Sequence, residues 1–329
     1  MQMHYSEVLT QPQFWKTFFT RNRYSHDEIP DLSGKVAIVT GANSGLGYAT
    51  TVALAGHGAR VFLACRNRER AMDAIERARK EIKEKFKYVQ EPKLEFLELD
   101  LNDMNKTREA ARSFLSKGLP LHILINNSGM VTPFGLSADG VEQTFAVNHM
   151  GHFVFTMNLL DKIKESQPSR IVILSSMGHE CTVPGGIDFD TLNDQSKSDP
   201  LTRYGRSKLA NILMGRALAR RLANERVYVN VAHPGLVKTE LMGHANEIKS
   251  FSTKFFDILT NTVAMMPETG ALTQLYLATS PEIENKDIRG RYFAPIANEY
   301  QPSSYARDDK LGEKLWTFSE QLAREKLRD

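Results

Sequence analysis

From Lys35 onward the chain alternates short apolar or β-branched runs with longer segments of helical pattern. That rhythm points to a parallel sheet covered by helices, because neighbouring parallel strands need a crossover long enough to hold a helix. Seven runs read as strands: Lys35 to Thr40, Arg60 to Ala64, Leu94 to Leu97, His122 to Ile125, Arg170 to Leu174, Val227 to Val231 and Tyr292 to Ala294. The expected fold is α/β, a doubly wound seven-stranded parallel sheet with helices on both faces. No repeat of fixed period and no break in composition marks a second unit, so residues 31–329 are expected to form one domain. Ala71 to Phe86 reads as a helix whose charges lie at helical spacing, a solvated face with no evident function.

Two segments fall outside the rhythm. Residues 1–30 form an N-terminal extension containing Phe14, Trp15, Phe18 and Phe19, a cluster that needs an apolar surface. Packing against the body is the first expectation; a membrane surface, a dimer contact and a substrate lid are the alternatives. The connection from Met242 to Met266 carries no strand signal yet holds Phe251, Phe255, Phe256, Ile258 and Leu259, which suits a substrate lid over 242–266.

Composition narrows the partners. Lys and Arg number 42 against 39 for Asp and Glu, a net charge of +3 that supplies no nucleic-acid footprint, so a small molecule is the expected partner. The two cysteines, Cys65 and Cys181, are too few for a disulfide framework and are expected as free thiols. The N-terminus lacks the pattern of a secretory signal, and no run approaches the roughly 20 apolar residues of a membrane span. A cytoplasmic location and no transmembrane segment are therefore expected.

The first expected strand runs directly into Thr40-Gly41-Ala42-Asn43-Ser44-Gly45-Leu46-Gly47, and a helical pattern follows at once. Glycines there let the backbone turn sharply and approach a pyrophosphate, while unpaired N–H groups at a helix start attract its charge. Taken alone, such a loop is also compatible with a plain structural turn. The second strand ends at Arg66, where a site for NAD places a carboxylate for the ribose 2′-hydroxyl. A guanidinium matches a 2′-phosphate instead, so NADP(H) is the expected cofactor, with a surface arginine as the bland alternative. Asp100, past the third strand, suits either an adenine amino group or a helix cap.

Downstream come Asn126-Asn127-Ser128-Gly129, Asn148, Ser175-Ser176, Tyr204-Gly205-Arg206-Ser207-Lys208 and His233-Pro234-Gly235. With the glycine loop, and in this order, they make the chain resemble the short-chain dehydrogenase/reductase family over residues 33–325, with its Rossmann-type fold. The run Tyr204 to Asn211, the long insert between Ser176 and Tyr204 and the ending Lys314-Leu315-Trp316 resemble the retinol-dehydrogenase-like and fungal reductase branch. The resemblance implies catalytic roles for Asn148, Ser176, Tyr204 and Lys208. It implies cofactor contacts at Gly41, Asn43, Ser44, Gly45, Leu46, Gly47, Arg66, Asp100, Leu101, Asn127, Ser128, Gly129, Tyr204, Lys208, Pro234, Gly235, Val237 and Thr239. Ser128 departs from the family, which more often has alanine there. The implied activity is an NADP-dependent oxidoreductase on the CH–OH or C=O group of an apolar ketone, aldehyde or secondary alcohol, with secondary metabolism as one setting. The implied assembly is a monomer or homodimer. The competing readings are an NAD-dependent alcohol dehydrogenase of the retinol or steroid type, and a non-catalytic nicotinamide-binding sensor.

The chemistry agrees with those residue types. Reduction of a ketone by hydride places negative charge on oxygen, which needs a hydrogen-bond donor and a proton source. Ser176 and Tyr204 can supply them. A free phenol has a pKa of about 10, and Lys208, four residues on and so on the same helix face, is placed to favour its ionised form. Side chains alternate along a strand, so only one of Ser175 and Ser176 can face the site, and the family pattern selects Ser176. His149 and His152 lie on an expected helix with no third ligand at sensible spacing, and no metal is expected.

Overall fold

The computed structural model describes residues 21–89, 91–237 and 264–327. Its strands are β1 (Val36–Thr40), β2 (Arg60–Cys65), β3 (Leu94–Glu98), β4 (Ile123–Asn126), β5 (Ser169–Leu174), β6 (Val227–Ala232), β7 (Tyr292–Ala294) and β8 (Asn298–Tyr300). The longer helices are α1 (Gly45–Gly56), α2 (Arg68–Lys85), α3 (Met104–Leu115), α4 (Gly151–Glu165), α5 (Pro200–Arg221), α6 (Leu272–Thr279) and α7 (Asp309–Lys326). All eight strands join one sheet in the order β3-β2-β1-β4-β5-β6-β7-β8.

Each of the seven expected strands is present with ends shifted by no more than a residue, and these seven pair in parallel. An eighth, β8, runs antiparallel to β7 at the edge. Its three residues, Asn-Glu-Tyr, lie on a half-exposed margin and carry no apolar run, so the strand signal is absent from the sequence. Strands β1, β4, β5 and β6 are buried along their full length, as a sheet covered on both faces requires.

Alternating side chains feed two cores. Ile38, Phe62, Leu124 and Ile171 point to the face packed by α3, α4, α5 and α7. Ala37, Val39, Val61, Leu63 and Val172 point to the face packed by α1, α2 and α6. Helix starts are set locally: Asn67 accepts from the Arg70 N–H ahead of α2, Asp103 from Asn105 and Lys106 ahead of α3, and Asp199 from Leu201 and Thr202 ahead of α5.

The site follows from the strand order. The chain steps outward from β1 through β2 to β3, then returns to lay β4 on the other side of β1. Loops leaving the carboxyl ends of β1 and β4 therefore diverge and leave a crevice between them.

Candidate active site

At the end of β1, Gly41 adopts φ +64°, which turns the chain off the sheet, and its N–H donates to the Ala64 carbonyl at 2.9 Å. Ser44 stands in extended conformation before α1, and its side chain does not cap the helix, so the first N–H groups are left to other partners. A Cβ on Gly47 would lie 2.3 Å from the Gly41 carbonyl oxygen and 2.7 Å from Asn127 Nδ2, so only glycine lets the loop close against β4. Asn127 Nδ2 donates to the Thr40 carbonyl at 2.8 Å, and a Cβ on Gly41 would meet Ser128 at 3.2 Å. Asn43, Ser44, Gly45 and Leu46 are half-buried along this loop. Arg66 is exposed directly after β2. Glycines at points of close approach, an uncapped helix start and an exposed guanidinium make a cradle that fits a dinucleotide.

The neighbouring positions are more mixed. Asp100 accepts from the Asn102 N–H at 3.1 Å, a local turn, while the helix cap falls to Asp103. Leu101 is buried in the core, and its carbonyl oxygen would lie 2.6 Å from a Cβ on Gly151. Pro234 and Gly235 follow β6; Gly235 has φ +83°, and Val237 forms a bridge to Met265. Thr239, the aromatic residues Phe14 to Phe19 and most of the 242–266 connection lie outside the described residues.

Asn148, Ser176, Tyr204 and Lys208 come together at the carboxyl ends of β4 and β5. Asn148 sits in a π-helical turn, Ala146–Met150, ahead of α4. Its Oδ1 accepts from the Met130 N–H at 2.8 Å, and its Nδ2 donates to the Met130 carbonyl and to Ser207 Oγ, both at 3.0 Å. Ser176 Oγ accepts from the Gly178 N–H at 3.1 Å, and a Cβ on Gly178 would stand 3.4 Å from that hydroxyl and 3.0 Å from the Tyr204 ring, so serine and tyrosine lie beside the same turn. Ser175 turns the other way, buried, and donates to the Lys208 carbonyl at 2.8 Å. Lys208 Nζ lies 5.6 Å from the Tyr204 ring centroid and donates to the Leu174 carbonyl at 3.2 Å, an acceptor it shares with Asn211. A Cβ on Gly129 would stand 3.1 Å from that ammonium.

Burial pushes the Tyr204 phenol up to about 12, with the nearby Ser176 hydroxyl acting in the opposite sense. Burial draws the Lys208 ammonium down to about 8. At neutral pH the phenol therefore holds its proton.

Three supporting groups escaped the sequence reading. Arg77 of α2 donates to the Asn43 carbonyl at 3.2 Å and stacks over Tyr48 with 4.7 Å to the ring centroid, so this helix also buttresses the glycine loop. Glu142, fully buried, accepts from the Thr144 and Phe145 N–H groups at 2.9 Å each and lies 3.5 Å from Arg203 Nε, next to Tyr204. Arg203 and Arg206 in turn hold the Ser198 and Leu192 carbonyls, tying the long insert to α5. His152 bonds Thr40 and Asn148 at once. The links from Arg77 to Asn43, Glu142 to Arg203 and His152 to Thr40 cross between distant segments and carry no local signal; the spacing of four between Asn148 and His152 is the one feature that could have put those two on one helix face. His149 bonds Ser319 of α7 at 2.9 Å, and among the described residues no group of three or more His, Cys, Asp or Glu side chains could hold a metal ion. No described helix is long and apolar enough to cross a membrane.

Residues 35–190 match the family model described as short chain dehydrogenase. Human "Retinol dehydrogenase 14" is 40% identical over 296 residues, covering 88% of this chain and 86% of that protein. "Short-chain dehydrogenase TIC 32 A, chloroplastic" of Brassica napus is 39% identical over 304 residues, covering 89% of each. A solved structure of a putative uncharacterized protein from Mycobacterium Paratuberculosis superposes with a TM-score of 0.68 at 29% identity, covering 92% of this chain and 97% of that one. Likeness across nearly the whole length, added to a glycine-built cradle beside a neighbouring serine and tyrosine, places this chain in the short-chain dehydrogenase/reductase family, among its retinol-dehydrogenase-like members, as an oxidoreductase that uses a nicotinamide cofactor.

Proposed function

We propose that the protein is an NADPH-dependent carbonyl reductase or alcohol dehydrogenase for an apolar ketone, aldehyde or secondary alcohol, with Asn148, Ser176, Tyr204 and Lys208 as its catalytic set. The observation that carries this reading is that the Ser176 hydroxyl and the Tyr204 ring meet beside Gly178, where a Cβ would stand 3.4 Å from the one and 3.0 Å from the other, with Lys208 Nζ 5.6 Å from the ring centroid. The bound nicotinamide supplies the hydride in reduction. Tyr204, protonated at neutral pH, gives its proton to the oxygen that gains charge, and Ser176 donates a hydrogen bond to the same atom. Lys208 stabilises the phenolate left behind, and Asn148, by family resemblance, holds a water that returns the proton.

The loop from Gly41 to Gly47 would hold the pyrophosphate, Asp100 and Leu101 the adenine, and Asn127, Ser128, Gly129, Pro234, Gly235, Val237 and Thr239 the nicotinamide half. Arg66, exposed where a carboxylate would favour NAD, supports NADPH. We read 31–329 as one domain and 242–266 as its lid, in a cytoplasmic monomer or homodimer. The retinol dehydrogenases among the relatives favour a second reading, oxidation of a retinoid or steroid alcohol with NAD.

A panel of ketones, aldehydes and alcohols, run with NADPH, NADH and their oxidised forms on the wild type and on Tyr204→Phe, tests the proposal. The wild type should turn over at least one apolar carbonyl faster with NADPH. Tyr204→Phe should lower kcat by about 10² to 10⁴ and leave NADPH affinity nearly intact, because only the proton donor is lost. Unchanged turnover in the variant would reject Tyr204 as the acid. An inert wild type that still binds nucleotide would favour a sensor.

A further inference from the structure

We propose that His152 is a positioning residue that locks the cofactor loop after β1 to the carbonyl of Asn148, so that both halves of the active site keep one spacing. The inference rests on the site assignment above.

His152 lies one turn beyond Asn148 at the start of α4 and is fully buried, as are Thr40, Asn148 and Ser207. Its Nδ1 stands 3.0 Å from the Asn148 carbonyl oxygen, which can only accept, so Nδ1 carries the proton. Its Nε2 must then accept, and the hydroxyl of Thr40 stands 2.9 Å away. With that proton directed at the imidazole, Thr40 Oγ1 is left to accept, and the N–H groups of Asn127 and Ser128 both reach it at 2.9 Å. Every donor meets an acceptor in this arrangement. The opposite tautomer would set a bare nitrogen against a carbonyl, and an imidazolium would press an N–H on an oxygen that already accepts twice. Burial holds the imidazole down at about 4, in agreement with a neutral ring.

The partners are what separate His152 from an ordinary buried histidine. One is the residue at which the glycine loop begins, and through it the amides of the Asn127-Ser128 turn after β4. The other is Asn148, whose amide continues to Ser207 Oγ, which donates to the Tyr204 carbonyl at 2.7 Å. Hydrogen bonds, joined through Asn148 by its main-chain carbonyl on one side and its side-chain amide on the other, thus link the cofactor loop to the backbone of the proposed acid. Its worth is geometric, since a misplacement of about 1 Å in an active site can cost roughly 10²-fold in rate.

Three readouts test the assignment. In the wild type without nucleotide, ¹⁵N spectra of the imidazole should show the neutral Nδ1–H tautomer; an Nε2–H tautomer would overturn the proposal. Amide exchange at Asn127 and Ser128 should quicken in Thr40→Val and in His152→Leu, and unchanged exchange in both would count against it. With the carbonyl found in the panel, His152→Leu should lower kcat by about 10- to 100-fold at little change in KM. The effects of Thr40→Val and His152→Leu on kcat should be less than additive, because they break the same link. His152→Asn, which keeps a donor near Nδ1, should recover part of kcat and serves if the leucine variant does not fold. A folded His152→Leu with kcat within about twofold of wild type, or fully additive variants, would sink the idea. If Tyr204→Phe is inactive and His152→Leu is not, this inference alone fails; if Tyr204→Phe stays active, the site assignment fails first.

Discussion

At the residue scale the two titrating groups of the proposed mechanism are pulled toward neutrality by burial, Tyr204 upward to about 12 and Lys208 downward to about 8. That suits a proton donor in reduction. Oxidation needs the phenolate and so must borrow stabilisation from Lys208 and from the positive ring of oxidised nicotinamide. Cofactor choice is also decided by single residues. Replacing the exposed Arg66 by alanine should weaken NADPH about 10- to 100-fold, the value of a charge-assisted hydrogen-bond pair, and leave NADH affinity unchanged in fluorescence titration. An equal loss for both nucleotides would mean that Arg66 does not read the 2′-phosphate. The pairing of Tyr204 with Lys208 could be read in the chain from the helix period; the strand period shows only that one of Ser175 and Ser176 can face the site, and the family pattern points to Ser176. The Leu174 carbonyl that receives Lys208 could not, since β5 and α5 meet only through tertiary packing.

At the element scale α5 is held against the Met177–Glu180 turn more closely than helical pattern suggests. A Cβ on Gly205 would lie 2.0 Å from the Cys181 carbonyl oxygen and 2.6 Å from that of Gly178. Both obstacles are backbone, which cannot swing aside like a flexible side chain. Gly205→Ala should therefore lower Tm by several degrees and lower kcat as well, overpacking costs of about 1 to 3 kcal/mol being typical. Calorimetry showing an unchanged Tm would mean that the turn yields freely. The sequence shows a glycine between Tyr204 and Arg206 but not the carbonyls above it. In the same way β8 went unread, because a three-residue polar edge strand exists only by pairing with β7.

At the scale of the whole molecule, two apolar faces enclose several neutral histidines. Burial holds His149 and His233 down at about 3, and His152 and His179 at about 4. The unfolded chain takes up protons below about 6.5 that the folded chain refuses until far lower pH, so stability should fall as pH falls from about 6.5 to 4. Each group contributes about 1.4 kcal/mol per pH unit inside its window, and urea unfolding at pH 7.5 and pH 5 should differ by several kcal/mol. Equal stability at both values would show that these rings accept protons without unfolding. What the chain dictates alone is the alternation of strands and helices, the glycine loop and the order of site motifs, because these depend on period and on the conformational freedom of single residues. What only the tertiary structure decides is the meeting of Thr40, His152, Asn148 and Ser207, and of Glu142 with Arg203. Those groups come from separate crossovers, and hydrogen bonds between them form only after the sheet has brought the ends of β1, β4 and β5 side by side.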